Sequence, residues 1–503
     1  MTTKQIEKIE TGIAGFDLIA EGGLPRNRAT LIAGTAGSAK TVFATQFLIA
    51  GLREEDESGV FVTFEDAPAD IRKNMIGFGW DIERWEREGK WAFVDAAPDP
   101  GGATVVVGDY DMGALLARIE HAVRTVGAKR VSLDSLNALF VQFPDQAILR
   151  AELFRITSTL KQMGVTMVFT GERDDDYGAT THFGIEEFVA DNVVILRNVL
   201  INERRRRTME ILKFRGASHQ RGEFPFTITS DGGIIVIPLS AIELTQSSST
   251  VRIRSGIPEL DQMAGGGFFR DSIILLSGAT GTGKTLMTTQ FLAGGVQQEE
   301  RCLLFAFEES RDQLSRNAEA WGIDFERMEQ EEKLKVINQY PHAVALEDHF
   351  VQMRRIIEEF KPNRVAVDSL SSLERVSSVR AFREFVMSLT SFLKKKEIAG
   401  LFTSTTQSLM GGGSVTEKHV STLTDTIILL RYVEAYGQMR RGITVLKMRG
   451  SMHDHDIREY IIDHEGMHIQ EPFRHVSGIL SGQLTHSPNA EEIGGGWSED
   501  EES

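Results

Sequence analysis

The sequence predicts an α/β fold: two tandem domains, each a mostly parallel sheet flanked by helices. Two observations carry that reading, an internal repeat spanning nearly the whole chain and a regular alternation of short apolar runs with helix-period segments. The repeat is direct. TGIAGFDLIAEGGLPRNRATLIAG (11–34) returns as SGIPELDQMAGGGFFRDSIILLSG (255–278), FGWDIERW from Phe78 as WGIDFERM from Trp321, and RVSLDSL from Arg130 as RVAVDSL from Arg364. ILKFRGASH from Ile211 returns as VLKMRGSMH from Val445. The offset is 244 residues between Lys40 and Lys284 and 234 between Lys213 and Lys447, so the copies differ only by small loop changes. The expected boundaries are a first domain over 1–240, a second over 241–485, and an acidic tail over 486–503 too poor in apolar residues to fold alone. The polar stretch PLSAIELTQSSST (238–250) reads as the linker.

Within each copy, runs such as ATLIAG, GVFVTFE, RVSLDSL and VTMVFTGE have strand length, whereas MGALLARIEHAVRTVG from Met112 has helix period. Alternation of this kind produces a parallel sheet covered on both faces, with ligands beyond the carboxyl ends of its strands. Composition narrows the partners. With 55 basic and 72 acidic side chains the net charge is −17, which argues against nucleic acid as the main partner. The single cysteine, Cys302, cannot form an intramolecular disulfide, and no apolar run spans a bilayer. The start, MTTKQIEKIE, lacks the apolar core of a signal peptide, so a soluble, cytoplasmic protein is expected.

Phosphate chemistry enters with GATGTGKT (278–285), which follows an apolar strand and opens an apolar helix segment. In such a loop Thr280, Gly281, Thr282 and Gly283 offer backbone N–H groups to phosphate oxygens and Lys284 reaches the outer phosphates. Thr285 ligates magnesium, and Leu286, next in sequence, is counted with the ATP-binding residues. The first copy reads GTAGSAKT (34–41), placing Gly37, Ser38, Ala39, Lys40, Thr41 and Val42 in the same roles. The Ala39 methyl replaces a glycine hydrogen and is expected to crowd the backbone's approach to phosphate. Two RecA-like P-loop NTPase domains binding ATP and Mg2+ are therefore predicted.

Carboxylates recur at matching strand ends: Glu65 and Asp66 in one copy, Glu308 and Glu309 in the other. A carboxylate there can orient or deprotonate a nucleophile attacking the γ-phosphate. An isolated acidic pair would be read as a solvated turn, but recurrence favours function. Asp134 and Asp368 end a further apolar strand and match the magnesium-holding Walker B pattern. A basic element also recurs, Lys213, Phe214, Arg215 and His219 against Lys447, Met448, Arg449 and His453, with Ser451 inside the second copy and Arg441 aligned to Arg207. Alternate cations on one strand face suit phosphate recognition, and RecA-type rings often supply such groups from a neighbouring subunit. The competing reading is a charged edge-strand face.

HVSTLTDTIILLRYVE, FKPNRVAVDSLSSL and LKMRGSMHD are the most specific stretches of a resemblance, over about residues 8–480, to the circadian clock protein KaiC family. That resemblance implies a homohexameric double ring with ATP between neighbouring subunits. It further implies slow ATP hydrolysis in the first ring and transfer of phosphate to an adjacent Ser and Thr in the second. Aligned on Asp191 and Asp425, Ser421-Thr422 falls opposite Glu187-Phe188, so only the second copy carries hydroxyls there. Carried over, Glu308 becomes the base and part of the magnesium shell, with Glu309 beside it and Trp321 against adenine. Arg375 and Thr416 lie close to the acceptors on the same basis. A KaiB-like regulator is implied as a partner, whereas the short acidic tail lacks the family's KaiA-binding helical ending, so KaiA dependence is not expected. Ala39 and Asp66 depart from the second copy's pattern. Two other classes stay open at this point: a RecA-type DNA recombinase or helicase, and a nucleotide-switched signalling scaffold without kinase activity.

Overall fold

The repeat becomes two sheets of the same topology. A computed structural model describes residues 6–97, 112–138, 146–180, 189–201, 204–237, 248–341, 344–406, 420–435, 438–474, 476–477, 479 and 485–486. The chain divides into two compact units, Met1–Ile242 and Glu243–Ser503. The tail expected to be disordered lies outside the described residues from 487 onward.

In the first unit the strands are β1 (Ala29–Gly34), β2 (Gly59–Thr63), β3 (Trp91–Asp95), β4 (Arg130–Asp134), β5 (Thr166–Glu172), β6 (Asn192–Ile201), β7 (Arg204–Phe214), β8 (Glu223–Thr229) and β9 (Gly233–Val236). They form one nine-stranded sheet in the order β9-β8-β7-β6-β1-β5-β4-β2-β3. The second unit repeats it with β10 (Ile273–Gly278), β11 (Cys302–Ala306), β12 (Leu334–Asn338), β13 (Arg364–Asp368), β14 (Ala399–Thr405), β15 (Thr426–Ala435), β16 (Gln438–Met448), β17 (Arg458–Asp463) and β18 (Gly466–Pro472). Their order is β12-β11-β13-β14-β10-β15-β16-β17-β18. Strands on either side of the central β1 and β10 run parallel; beyond β6 and β15 the sheets continue as antiparallel ribbons. This is the mostly parallel, helix-flanked RecA-like architecture that the alternation predicts.

Both faces of each sheet are covered, which is why the central strands are apolar without alternation. Along β1, Ala29, Leu31 and Ala33 enter one core cluster while Ile32 enters the other, as the two-residue strand period dictates. The helices after the P-loops, α1 (Lys40–Ala50) and α2 (Lys284–Gln297), are buried almost all round. A helix apolar on every side belongs inside, not on the surface.

Each unit locks its P-loop helix to its Walker B strand through a fully buried arginine. Arg130 donates from Nη1 to the carbonyls of Phe47 (3.0 Å) and Glu10 (2.8 Å) and pairs with Glu57 at 2.8 Å. Arg364 repeats the arrangement with Phe291 (2.9 Å), Arg254 (2.7 Å) and Glu300 (2.5 Å). The sequence match RVSLD/RVAVD thus begins in a structural clamp and ends in the aspartate that the sequence pattern assigns to magnesium.

Candidate nucleotide and phosphoacceptor sites

The register of the second unit divides the candidate residues between two ends of the sheet. β10, β11, β13 and β14 are parallel, with Ala306 beside Asp368, Val367 beside Phe402 and Gly278 beside Thr405. Their carboxyl ends therefore carry the P-loop, Glu308, Glu309 and Asp368 together. β15 is also parallel to β10, but Thr426, its first residue, pairs with Ile274. Ser421 and Thr422 precede that strand and so lie beyond the amino ends. Four strand steps separate Ile274 from Gly278, ~13 Å at ~3.3 Å per residue, before either loop is counted.

At the carboxyl end, the P-loop has the expected form. Lys284 Nζ donates to the carbonyls of Gly278 and Ala279, both at 3.0 Å, and burial lowers its pKa. Thr285 Oγ1 donates to Asp368 Oδ2 at 2.8 Å, and Thr403 Oγ1 to Asp368 Oδ1 at 2.5 Å. Burial raises the Asp368 pKa against these bonds. A buried carboxylate bonded to the P-loop hydroxyl is the donor set that would hold magnesium beside phosphate. In the first unit Lys40 Nζ donates to Gly34 and Thr35 carbonyls, both at 3.0 Å, and Thr41 and Thr170 bond Asp134. The Asp134–Ser135 and Asp368–Ser369 peptide bonds are both cis.

Ala39 behaves differently from the sequence expectation. Its φ of 76° matches the left-handed conformation of Gly283, at φ 92°, but its methyl packs against the apolar cluster under the loop. A Cβ at Gly283 would point the same way, 2.9 Å from Ile462 Cδ1 and 3.3 Å from Met467 Cε. The side chain at this position faces the core, so the methyl does not crowd phosphate. Its consequence is backbone strain of ~1–2 kcal/mol in the left-handed region.

The two acidic pairs also differ. Glu308 Oε1 accepts from Ser372 Oγ (2.6 Å), Ser369 Oγ (2.7 Å) and Arg375 Nη2 (3.1 Å). Burial pushes its carboxyl upward, but these three donors outweigh burial and hold it below the usual range. Glu309 turns instead to Asn317, 3.1 Å away, and burial together with the Asp368 charge raises its pKa. In the first unit Glu65 Oε1 accepts from Ser135 Oγ at 2.8 Å. Asp66 accepts at its main-chain carbonyl from Thr63 Oγ1 at 2.6 Å.

The other predicted ligands divide between the two ends of the sheets, with Ser451, His453 and His219 beyond the strand ends at Met448 and Phe214 rather than at the P-loops. Trp321 packs, half-buried, against the second core. Arg207 Nε donates to the Gly37 carbonyl at 3.4 Å, whereas Arg441 Nε is buried without a hydrogen-bond partner among the described residues. Ser451 accepts from Arg252 at 2.6 Å. His453 sits edge-on to His455 at 4.5 Å with its Nε2 buried and unbonded among the described residues; His219 meets Phe214 at 5.6 Å. Sequence reasoning missed Tyr460, whose hydroxyl donates to the Thr282 carbonyl at 2.5 Å. The first copy has Phe226 at that position, so a comparison of copies could have found it.

At the amino end the basic element closes on the acceptor segment. Lys447 Nζ donates to the carbonyls of Ser421 (2.9 Å) and Thr424 (2.7 Å), and Arg449 Nη2 to that of Thr422 (3.1 Å). Lys394 pairs with Asp425 at 2.8 Å. Ser421 is buried and Thr422 exposed. Lys213 makes the matching bond to the Ala190 carbonyl at 2.9 Å, and Lys161 pairs with Asp191 at 2.6 Å. Within one chain, then, these lysines engage their own backbone rather than their own P-loop. Arg375 likewise lies with Glu308, at the opposite end from the acceptors beside which the resemblance put it. Thr416 lies outside the described residues.

Comparison with known proteins agrees with this repeated fold. The family model "ATPase: KaiC" matches twice, over residues 9–241 and 253–474. Circadian clock protein KaiC3 of Synechocystis sp. is 65% identical over 489 residues, covering 97% of both chains. The circadian clock oscillator protein KaiC of Thermostichus vulcanus is 54% identical over 484 residues, 96% of this chain and 93% of the relative. That of Acaryochloris marina is 53% identical over 481 residues, with coverage of 96% and 92%. The repeat, the paired P-loops and these full-length relatives lead to one conclusion: this chain belongs to the KaiC family of tandem-domain ATPases and serine/threonine autokinases.

Proposed function

We propose that the second domain completes its phosphotransfer site only between two copies of the chain. One copy would supply Lys284, Thr285, Asp368 and Glu308, and its neighbour Ser421 and Thr422 with Lys447 and Arg449. The observation that carries this is the separation of the P-loop from the acceptors across the length of one sheet. Bound ATP would supply the phosphoryl group, with Mg2+ held through Thr285 and Asp368. The acceptor oxygen bonds to the γ-phosphorus as the bond to the β-bridging oxygen breaks, leaving ADP, and Glu308 draws the hydroxyl proton. The first domain, with Lys40, Thr41, Asp134 and Glu65 but no hydroxyl pair opposite Ser421-Thr422, acts as the hydrolytic ring. Six copies closing head to tail into a double ring, a cytoplasmic location and regulation by a KaiB-like partner follow from the family resemblance, and a timing role accords with relatives that are circadian clock proteins.

Subunit mixing tests the reading. A Lys284→Ala chain keeps its acceptors but loses its phosphate-binding lysine; a Ser421→Ala, Thr422→Ala chain does the reverse. Mixed before Mg-ATP is added and separated by mass, the Lys284→Ala chain should gain phosphate at Ser421 and Thr422. No phosphate on the Lys284→Ala chain, with mixed assemblies verified and wild type alone phosphorylated under the same conditions, would mean transfer within one chain. Stable phosphate at full stoichiometry on the double variant would mean that the acceptors are misassigned.

A further inference from the structure

Glu308 and Glu65 occupy the same place in the two copies, yet two of the residues donating to Glu308 have no hydroxyl or guanidinium opposite them: Arg375 is matched by Val141, outside the described residues, and Ser372 by Ala138. Counting from Asp134 and Asp368, Ala138 stands where Ser372 stands in the second copy. Ser372 is buried within the helix Leu370–Arg375 that follows β13, and its hydroxyl makes a 2.6 Å bond to Glu308 Oε1. Ser369 and Arg375 donate to that same oxygen, and Arg375 Nη2 also donates to Ser372 Oγ at 3.0 Å. Among the described residues, Oε2 receives no donor. At Glu65 the one described donor to Oε1 is Ser135, the counterpart of Ser369.

A glutamate carboxylate turns about a broad, soft terminal torsion. One donor to one oxygen leaves that rotation open, whereas three converging donors fix both the plane of the group and which oxygen faces outward. A tethered hydroxyl, carried on a protein segment, approaches from one direction only and gains from a fixed acceptor. Water approaches from many directions and does not.

We propose that Ser372 is a positioning residue for phosphotransfer: it holds Glu308 Oε1 so that Oε2 meets the incoming Ser or Thr hydroxyl. Ala138 leaves Glu65 in the looser arrangement suited to water. The inference rests on the proposal that Glu308 serves acceptors at Ser421 and Thr422, and it names a determinant of hydroxyl over water that lies outside the P-loop and the acceptors.

The test compares Ser372→Ala with Ser372→Thr, which keeps the hydroxyl, in otherwise full-length protein. Ser372→Ala should slow the appearance of phosphate on Ser421 and Thr422 about tenfold, the scale of one hydrogen bond to a charged group. The KM for ATP should stay unchanged, and Ser372→Thr should recover most of the rate. An unchanged rate, a change in KM alone, or a threonine variant no better than alanine would overturn the proposal. Paired crystal structures of wild type and Ser372→Ala give a readout independent of acceptor identity: Glu308 should occupy a second orientation in the variant, and one unchanged orientation would overturn the claim. Absence of phosphate from Ser421 and Thr422 in the wild type would sink the acceptor assignment instead, and the orientation of Glu308 would still decide the role of Ser372.

Discussion

Replacing Lys447 by methionine removes an ammonium while keeping a long unbranched stem, so the change isolates the two bonds to Ser421 and Thr424 carbonyls. A hydrogen bond involving a charged group contributes about 1.5–3 kcal/mol. Here one half-exposed ammonium serves two carbonyls, and solvent competes for it. About 2 kcal/mol for the pair is therefore a fair figure, or a roughly thirtyfold larger population of segments detached from β16. Arg449 and the Lys394–Asp425 pair still hold the segment, so the loss is local rather than global. Hydrogen–deuterium exchange on a peptide covering 420–426 reads that population directly. The Asp425 amide, bonded to the Ile273 carbonyl at 2.9 Å, is the protected reporter. Exchange there should accelerate by about thirtyfold at most, and phosphorylation should fall in step. Unchanged protection with a raised KM for ATP would refute the reasoning and return Lys447 to a purely phosphate-binding role.

Lys284→Ala should abolish phosphorylation, while Lys40→Ala should chiefly lower bulk ATP hydrolysis and assembly, measured by phosphate release and light scattering. Equal, direct loss of phosphorylation from intact assemblies of both variants would contradict that division. Glu300→Gln strands the fully buried Arg364 charge and should cost the second domain about 3–5 kcal/mol in denaturant unfolding; a loss under about 1 kcal/mol would show the clamp to be dispensable. Asp17, whose pKa burial raises from 3.8 to about 6, is protonated more readily folded than unfolded. Its ionisation therefore removes stability as pH rises between those values. Asp17→Asn should match wild type below about pH 4 and melt progressively higher than wild type as pH rises from about 4 to about 6, the difference levelling off above that; a difference independent of pH would count against it.

The repeat made the architecture legible because each strand and P-loop could be read twice. Residues whose place depends on position within a motif, such as Lys284, Thr285 and Asp368, come together where the motif puts them. What stayed hidden depends on direction. That Ala39 turns its methyl inward follows from the left-handed backbone and the strand beneath it, neither of which a motif encodes. Tyr460 reaches Thr282 across 178 residues, a contact that only the sheet creates. Ser372 was visible as one more serine in DSLSSL; its meaning required the carboxylate of Glu308 to be seen lying over it.

The placement of P-loop and acceptors at opposite ends of one sheet also sets a polarity. If each copy gives phosphate through one side and receives it through the other, phosphate on a given subunit records the nucleotide state of its neighbour, not its own. A head-to-tail row of such copies always leaves one unused donor and one unserved acceptor at its ends, and only closure removes both. Around a closed ring every copy is then written by the copy behind it and writes the copy ahead. The mark travels in a single sense, a handedness of information that no subunit possesses alone.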